Sequence, residues 1–289
     1  MISNKYDFAI IGGDLRQAYM FLDFLDKGYS VISYGLNPSS IIKESALGKS
    51  LEEVMNSSKN LIVPIPFSVD KVCLKSQTNP SDLTLESFIN NLNSYHRIYG
   101  GSFSKEVISS FNKKQVFYYD LMKNKEIVLY NSIATAEGAI AEAIINSTYN
   151  LHNSYILVLG FGKCGKTLAN KLKGLSNHLK VAIRSAIVKL EALTLGFNII
   201  DFKDLESHIG KFDFIFNTVP KLVLTDKMLD LTKSDLTVID IASSPGGVDY
   251  NYAEKINRNA KLCLGLPGKY SPKSSSEFLS NCILSDLRK

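Results

Sequence analysis

Short apolar runs recur along this chain, each followed by a stretch with apolar residues at helical spacing. In the first half the runs at 8–11, 31–34, 61–65, 97–99 and 116–118 read as strands. In the second half the runs at 155–159, 179–183, 197–200, 212–216, 236–240 and 261–264 do the same. Apolar runs without polar alternation suit strands covered on both faces of a parallel sheet. Helical patterns at 15–27, 135–148 and 274–287 fall between or after them. Alternation of this kind predicts an α/β fold with helices on both sheet faces. Each half opens with a strand and a glycine turn. The expected architecture is therefore two Rossmann-like, doubly wound parallel-sheet domains joined by a long helix, with the C-terminal helix crossing back to the first. The boundaries are read as 1–134 for a substrate-handling domain, with 271–289 packing back on it, and 135–270 for the connector helix and a dinucleotide-binding domain. Polar loops, N-P-S-S at 37–40 and S-Q-T-N-P at 76–80, separate the first-half elements.

One turn carries chemistry. The run 155–159 enters Gly160-Phe161-Gly162-Lys163-Cys164-Gly165 and then a helical pattern, so G-x-G-x-x-G stands between strand and helix, the context that gives it meaning. Gly160 is expected to make the tight turn, Gly162 to admit a pyrophosphate close to the backbone, and Gly165 to let the helix approach the strand. The helix N-terminus then offers N–H groups and partial positive charge to phosphate. The next strand ends in Arg184-Ser185, where an NAD-binding chain usually places a carboxylate. A guanidinium there can pair with a 2′-phosphate, so NADP is expected, with NAD as the alternative.

Later strand ends extend this picture. Asn217-Thr218-Val219-Pro220 follows one strand. Asp240-Ile241-Ala242-Ser243-Ser244-Pro245-Gly246-Gly247 follows the next, and its glycines predict a constrained loop with free N–H groups. Gly265-Leu266-Pro267-Gly268 follows the last. Ligands of open α/β sheets lie beyond the carboxyl ends of strands, so these loops are expected to line a catalytic cleft. Asn217, Thr218, Val219, Pro220, Asp240, Ala242, Leu266 and Pro267 are the expected cofactor neighbours.

Composition narrows the classes. The chain has 289 residues and a formal net charge of +5, with basic and acidic residues mixed throughout. No basic run of the kind a nucleic-acid surface needs is present. The four cysteines, Cys73, Cys164, Cys263 and Cys282, have no metal-ligand spacing and suit a reducing compartment. No signal-peptide pattern and no apolar stretch of about 20 residues occurs. A cytoplasmic protein without membrane or nucleic-acid partners is expected.

Six segments together resemble a known family: I-G-G-D-L-R-Q (11–17), Y-N-S-I-A-T-A-E-G (130–138), L-G-F-G-K-C-G (159–165), N-T-V-P (217–220), D-I-A-S-S-P-G-G-V-D-Y-N-Y-A-E (240–254) and G-L-P-G-K-Y-S-P-K (265–273) are similar to the A subunit of dipicolinate synthase. The resemblance implies NAD(P)-dependent oxidation of a dihydro- or hydroxytetrahydro-pyridine-2,6-dicarboxylate, a branch from the lysine pathway. It also implies the flavoprotein-like B subunit of dipicolinate synthase as partner, and the mother cell of a sporulating bacterium as location. Ser244 stands where family members often carry Arg. A dicarboxylate calls for cationic or N–H-rich partners, which makes Arg16 and Lys273 candidates, with Asn131, Ser132, Thr135, Ser243, Gly246 and Gly247 as neutral ones. Glu137, read as lying in the first turn of the connector helix, and Lys273 are the candidate proton-transfer groups. None of the four histidines falls in a strand-end motif. Two other readings stay open: a 2-hydroxyacid or shikimate-type dehydrogenase, and a nucleotide-binding regulatory subunit whose chemistry lies in its partner. A homo-oligomer is also open.

Overall fold

The computed structural model describes residues 5–37 and 42–288; most of the loop expected at 37–40 lies outside them. The chain divides into two compact units, Met1–Tyr130 with Ser271–Lys289, and Asn131–Tyr270.

Unit 1 runs β1 (Phe8–Ile11), α1 (Leu15–Asp26), β2 (Val31–Tyr34), α2 (Leu51–Ser57), β3 (Asn60–Ile62), α3 (Leu85–Asn90), β4 (Arg97–Gly100), α4 (Lys105–Lys113) and β5 (Phe117–Asp120). Its sheet is parallel in the order β2-β1-β3-β4-β5. Alternate strand residues serve opposite faces. Phe8 and Ile10 pack with Phe21 and Phe24 of α1, whereas Ala9 and Ile11 pack with Val54, Phe88 and Phe111 from α2, α3 and α4. β3 is shorter than its apolar run because Pro64 and Pro66 follow and cannot donate to a ladder.

The chain continues into α5 (Lys125–Asn146) and unit 2: β6 (Ile156–Leu159), α6 (Lys163–Leu172), β7 (Leu179–Ile183), α7 (Ala186–Thr194), β8 (Asn198–Asp201), β9 (Phe214–Asn217), α8 (Asp226–Asp230), β10 (Thr237–Asp240), α9 (Tyr250–Lys255), β11 (Asn259–Leu262) and α10 (Leu266–Tyr270). This sheet is also parallel, in the order β11-β10-β9-β6-β7-β8. Helix α11 (Pro272–Leu287) then returns to unit 1, where Leu279, Ile283 and Leu284 join the α1 face of the core. The strand order reverses between β1 and β3 in one sheet and between β6 and β9 in the other. These are the switch points at which doubly wound sheets bind ligands.

Besides β3 and one- or two-residue shifts at strand ends, three elements differ from the sequence reading. Helix α5 starts at Lys125, not at 135, because Asn124 caps it: its Oδ1 accepts from the N–H groups of Glu126 (2.8 Å) and Ile127 (3.2 Å). Phe212 is buried but lies outside β9; its N–H closes a turn on the Ile209 carbonyl. The final strand occupies 259–262, and the segment read as a loop after it is α10. Among the described residues, no helix is long and apolar enough to cross a membrane.

Candidate functional site

Beyond β6, Gly160 adopts φ +93°, and a Cβ there would stand 2.5 Å from Thr218 Oγ1. Any side chain would be strained and would collide. A Cβ on Gly165 would collide with the Gly160 carbonyl, so α6 can start this close to the turn only with glycine there. Gly162 is different: it is exposed, and nothing lies within 4 Å of the position a Cβ would take. It is the N-cap of α6, and no side chain caps the helix. The first-turn N–H groups therefore lack a protein partner of the usual kind. An open backbone and an uncapped helix N-terminus form a cradle that fits a pyrophosphate. Phe161 turns into the core against Phe197, with ring centroids 5.3 Å apart. Lys163 is exposed at the first helical position. Burial pushes the Cys164 thiol pKa up, against the charge of Lys163, so Cys164 is not an activated nucleophile.

At the end of β7, Arg184 and Ser185 are exposed. The Arg184 guanidinium lies over the Phe202 ring, 5.5 Å from its centroid. Ser185 is the N-cap of α7, with its side chain not spent on capping. Neither Arg184 nor Ser185 is a carboxylate, and Asp201 of β8, across from Ile183, is paired with Lys189.

The end of β9 is welded to the glycine turn. Thr218 donates to the Leu159 carbonyl from both N–H (3.0 Å) and Oγ1 (2.8 Å). Asn217 is fully buried; its Oδ1 accepts the Val219 N–H at 3.1 Å. Pro220 is exposed.

Several expected ligand contacts are corrected. Asp240 is wholly buried, and its carboxylate accepts from the N–H groups of Ala242 and Gly247 in its own loop. Gly246 and Gly247 are buried, and their N–H groups are not free: they donate to the Ser243 carbonyl (2.9 Å) and to Asp240 Oδ2 (2.6 Å). Ala242 is buried, while Ser243 is exposed. Leu266 and Pro267 are buried in α10. In α5, Thr135 is no cap; its hydroxyl donates back to the Asn131 carbonyl at 2.8 Å. Ser132 is buried, 2.8 Å from the Thr167 hydroxyl of α6. Glu137 is mid-helix, half exposed, and pairs with Lys171 at 2.8 Å. Lys273 is exposed in the first turn of α11.

Arg16 is corrected most sharply. It is only 4% exposed, and its guanidinium grips Asp14 with two hydrogen bonds of 2.9 Å. Asp14 also takes Lys75 at 2.7 Å and caps α1, in a capping box with Gln17. Burial alone would raise the Asp14 pKa. Arg16 and Lys75 outweigh it and hold this carboxyl well below the usual range. The D-x-x-Q spacing of Asp14 and Gln17 was a readable capping signal, but Lys75, 61 residues away, had none. A second group carried no sequence signal: Glu142 of α5 is buried and accepts from Lys269 and from the Tyr270 hydroxyl (2.9 Å), tying α10 to α5.

Comparison with known proteins agrees with this geometry. Residues 7–122 match the family model for the N-terminal domain of the dipicolinate synthase A subunit. The dipicolinate synthase A subunit of Bacillus subtilis (strain 168) is 28% identical over 290 residues, 95% of this chain and 93% of the relative. The crystal structure of the dipicolinate synthase A subunit from Bacillus halodurans is 27% identical, with a TM-score of 0.85, covering 100% of this chain and 99% of that one. A shorter stretch of 78 residues is 38% identical to shikimate dehydrogenase (NADP(+)) of Staphylococcus aureus (strain bovine RF122 / ET3-1), 26% of this chain and 29% of the relative.

Proposed function

We propose, on the premise that this chain belongs to the family of dipicolinate synthase A subunits, that it oxidises a dihydro- or hydroxytetrahydro-pyridine-2,6-dicarboxylate to dipicolinate with a nicotinamide dinucleotide. The observation that carries the proposal is the uncapped N-terminus of α6 beside the open backbone of Gly162, at a switch point of a parallel sheet. Arg184, exposed where an NAD site would hold a carboxylate, favours NADP. The cofactor named for the S. aureus relative points the same way. When bound, a nicotinamide would supply the hydride acceptor for aromatisation of the ring; the accompanying proton, and one water from the hydroxytetrahydro form, would leave to solvent. The chain's part is orientation: the glycine turn holds the pyrophosphate, Arg184 and Ser185 the ribose end, and Lys273 one substrate carboxylate. Aromatisation makes a strong base unnecessary. The family also supports the synthase's B subunit as partner and a role in sporulating cells.

The purified chain, alone and with the B subunit, is mixed with the lysine-pathway intermediate and with NADP or NAD. Dipicolinate formation with appearance of reduced-nicotinamide absorbance supports the proposal; no turnover in any combination overturns it. A second reading, a nucleotide-binding regulatory subunit, is favoured by two observations. Glu137 is held by Lys171, and among the described residues no histidine stands at either switch point. It predicts dinucleotide binding without substrate-dependent absorbance change.

A further inference from the structure

Among the described residues, the Asp240 carboxylate accepts four hydrogen bonds, none from a cation. Oδ1 takes Asn217 Nδ2 and the Ala242 N–H, each at 2.9 Å; Oδ2 takes the Gly247 N–H at 2.6 Å and the Tyr250 hydroxyl at 2.8 Å. Burying a carboxylate without a counter-cation is costly, and an apolar side chain of similar volume is often the more stable filling. What this arrangement secures is geometry. Asn217 ends β9 and holds Val219 through both its amide atoms. The Gly247 carbonyl accepts the N–H groups of Val223 and Leu224 at 2.9 Å. Asp240 thus joins segment 217–224 to segment 241–249. The fit is close: a Cβ on Gly246 would lie 2.7 Å from Asp240 Oδ2, and one on Gly247 2.5 Å from Asn217 Nδ2. Thr218, next to Asn217, fastens the whole to the glycine turn through the Leu159 carbonyl. One hydrogen-bonded frame therefore spans the carboxyl ends of β6, β9 and β10.

We infer that Asp240 is a positioning residue of the dinucleotide site: it touches no ligand, and it fixes Val219-Pro220 and Ser243-Ser244-Pro245 relative to the glycine turn. The inference rests on the dinucleotide reading above. Fully satisfied buried networks specify one geometry, whereas partly satisfied ones do not.

Asp240→Asn keeps the volume but sets an amide N–H₂ against one pair of donors, and Tyr250→Phe removes a single bond. NADPH dissociation constants are measured by calorimetry for the full chain, alongside melting temperatures. Leu236→Ala, fully buried at the amino end of β10 and so at the opposite end of the strand from Asp240, serves as a destabilised control. Asp240→Asn is expected to weaken NADPH binding about tenfold or more, the scale of a lost charge-assisted hydrogen bond, and Tyr250→Phe about threefold. Leu236→Ala lowers the melting temperature and leaves binding unchanged. In turnover, the dinucleotide KM rises while kcat at saturation stays. If the wild type binds NADPH but the folded Asp240→Asn protein binds it equally well, the inference falls; so it does if Leu236→Ala weakens binding as much. Should Asp240→Asn not fold, unchanged binding by Tyr250→Phe overturns it. Failure of the wild type to bind either NADPH or NADH sinks the dinucleotide reading instead.

Discussion

Two glycine turns occupy equivalent places in this chain, each after the first strand of a parallel sheet, at its switch point, with a helix starting at once. They differ in what fills the helix N-terminus. In unit 1 the turn Gly12-Gly13-Asp14 supplies its own anion: Asp14 caps α1 and is clasped by Arg16 and Lys75. In unit 2 the cap residue is Gly162, with no side chain and open space before it. Topology offers an anion site at both places; the residue at the N-cap decides whether the protein or a ligand occupies it. Arg16 is thus a carboxylate binder, but the carboxylate it holds is the protein's own.

The largest effect is expected from making unit 2 resemble unit 1. Gly162→Asp places a carboxylate where the cradle is open. NADPH binding should weaken at least about 100-fold, through lost space and like-charge repulsion, while the melting temperature stays near that of the wild type, since Gly and Asp caps differ by only a few tenths of a kcal/mol. Equal binding measured by calorimetry would break the comparison. The converse change, Asp14→Asn, leaves Arg16 buried without its counter-charge and should cost about 3 kcal/mol in urea unfolding at neutral pH. The sign with pH follows from the lowered Asp14 value. Its contribution is complete above the ordinary Asp pKa of about 4 and is lost as pH falls through the lower folded-state value. The gap between wild type and Asp14→Asn should therefore narrow progressively below about pH 4. A smaller change sharpens cofactor choice: Arg184→Asp should shift the NADP-to-NAD affinity ratio about tenfold or more toward NAD, read from paired dissociation constants. The least is expected of Glu137→Gln. Its pair with Lys171 is exposed, so stability should move by less than about 0.5 kcal/mol, and an unchanged kcat would remove Glu137 from the chemistry.

Much of this was legible in the sequence. β1, β2 and β7 fall on the expected residues, because uninterrupted apolar runs bounded by turn residues leave little choice of element. The glycine turn between strand and helix was legible because motif and context are local. What was not legible is non-local or disguised. Asn131, Ser132 and Thr135 looked like ligand groups because they are polar; in the fold they sit inside α5, where small hydroxyls bond backbone or a facing helix. The P-G-G loop looked like a source of free N–H groups, but Asp240 takes the Gly247 N–H. The Asp14–Lys75 and Glu142–Tyr270 pairings join residues 61 and 128 positions apart, beyond any pattern of spacing.

Helix α11 has a consequence for how the chain is made. The α1 face of the unit 1 sheet is completed by Leu279, Ile283 and Leu284, yet β1 to β5 leave the ribosome long before those residues exist. Unit 2 is continuous in sequence, from Asn131 to Tyr270, and holds all its own strands once β11 is synthesised. Domains usually fold in the order of synthesis; here the unit begun first is finished last, and a nascent chain halted before α11 leaves part of the α1-side core uncovered.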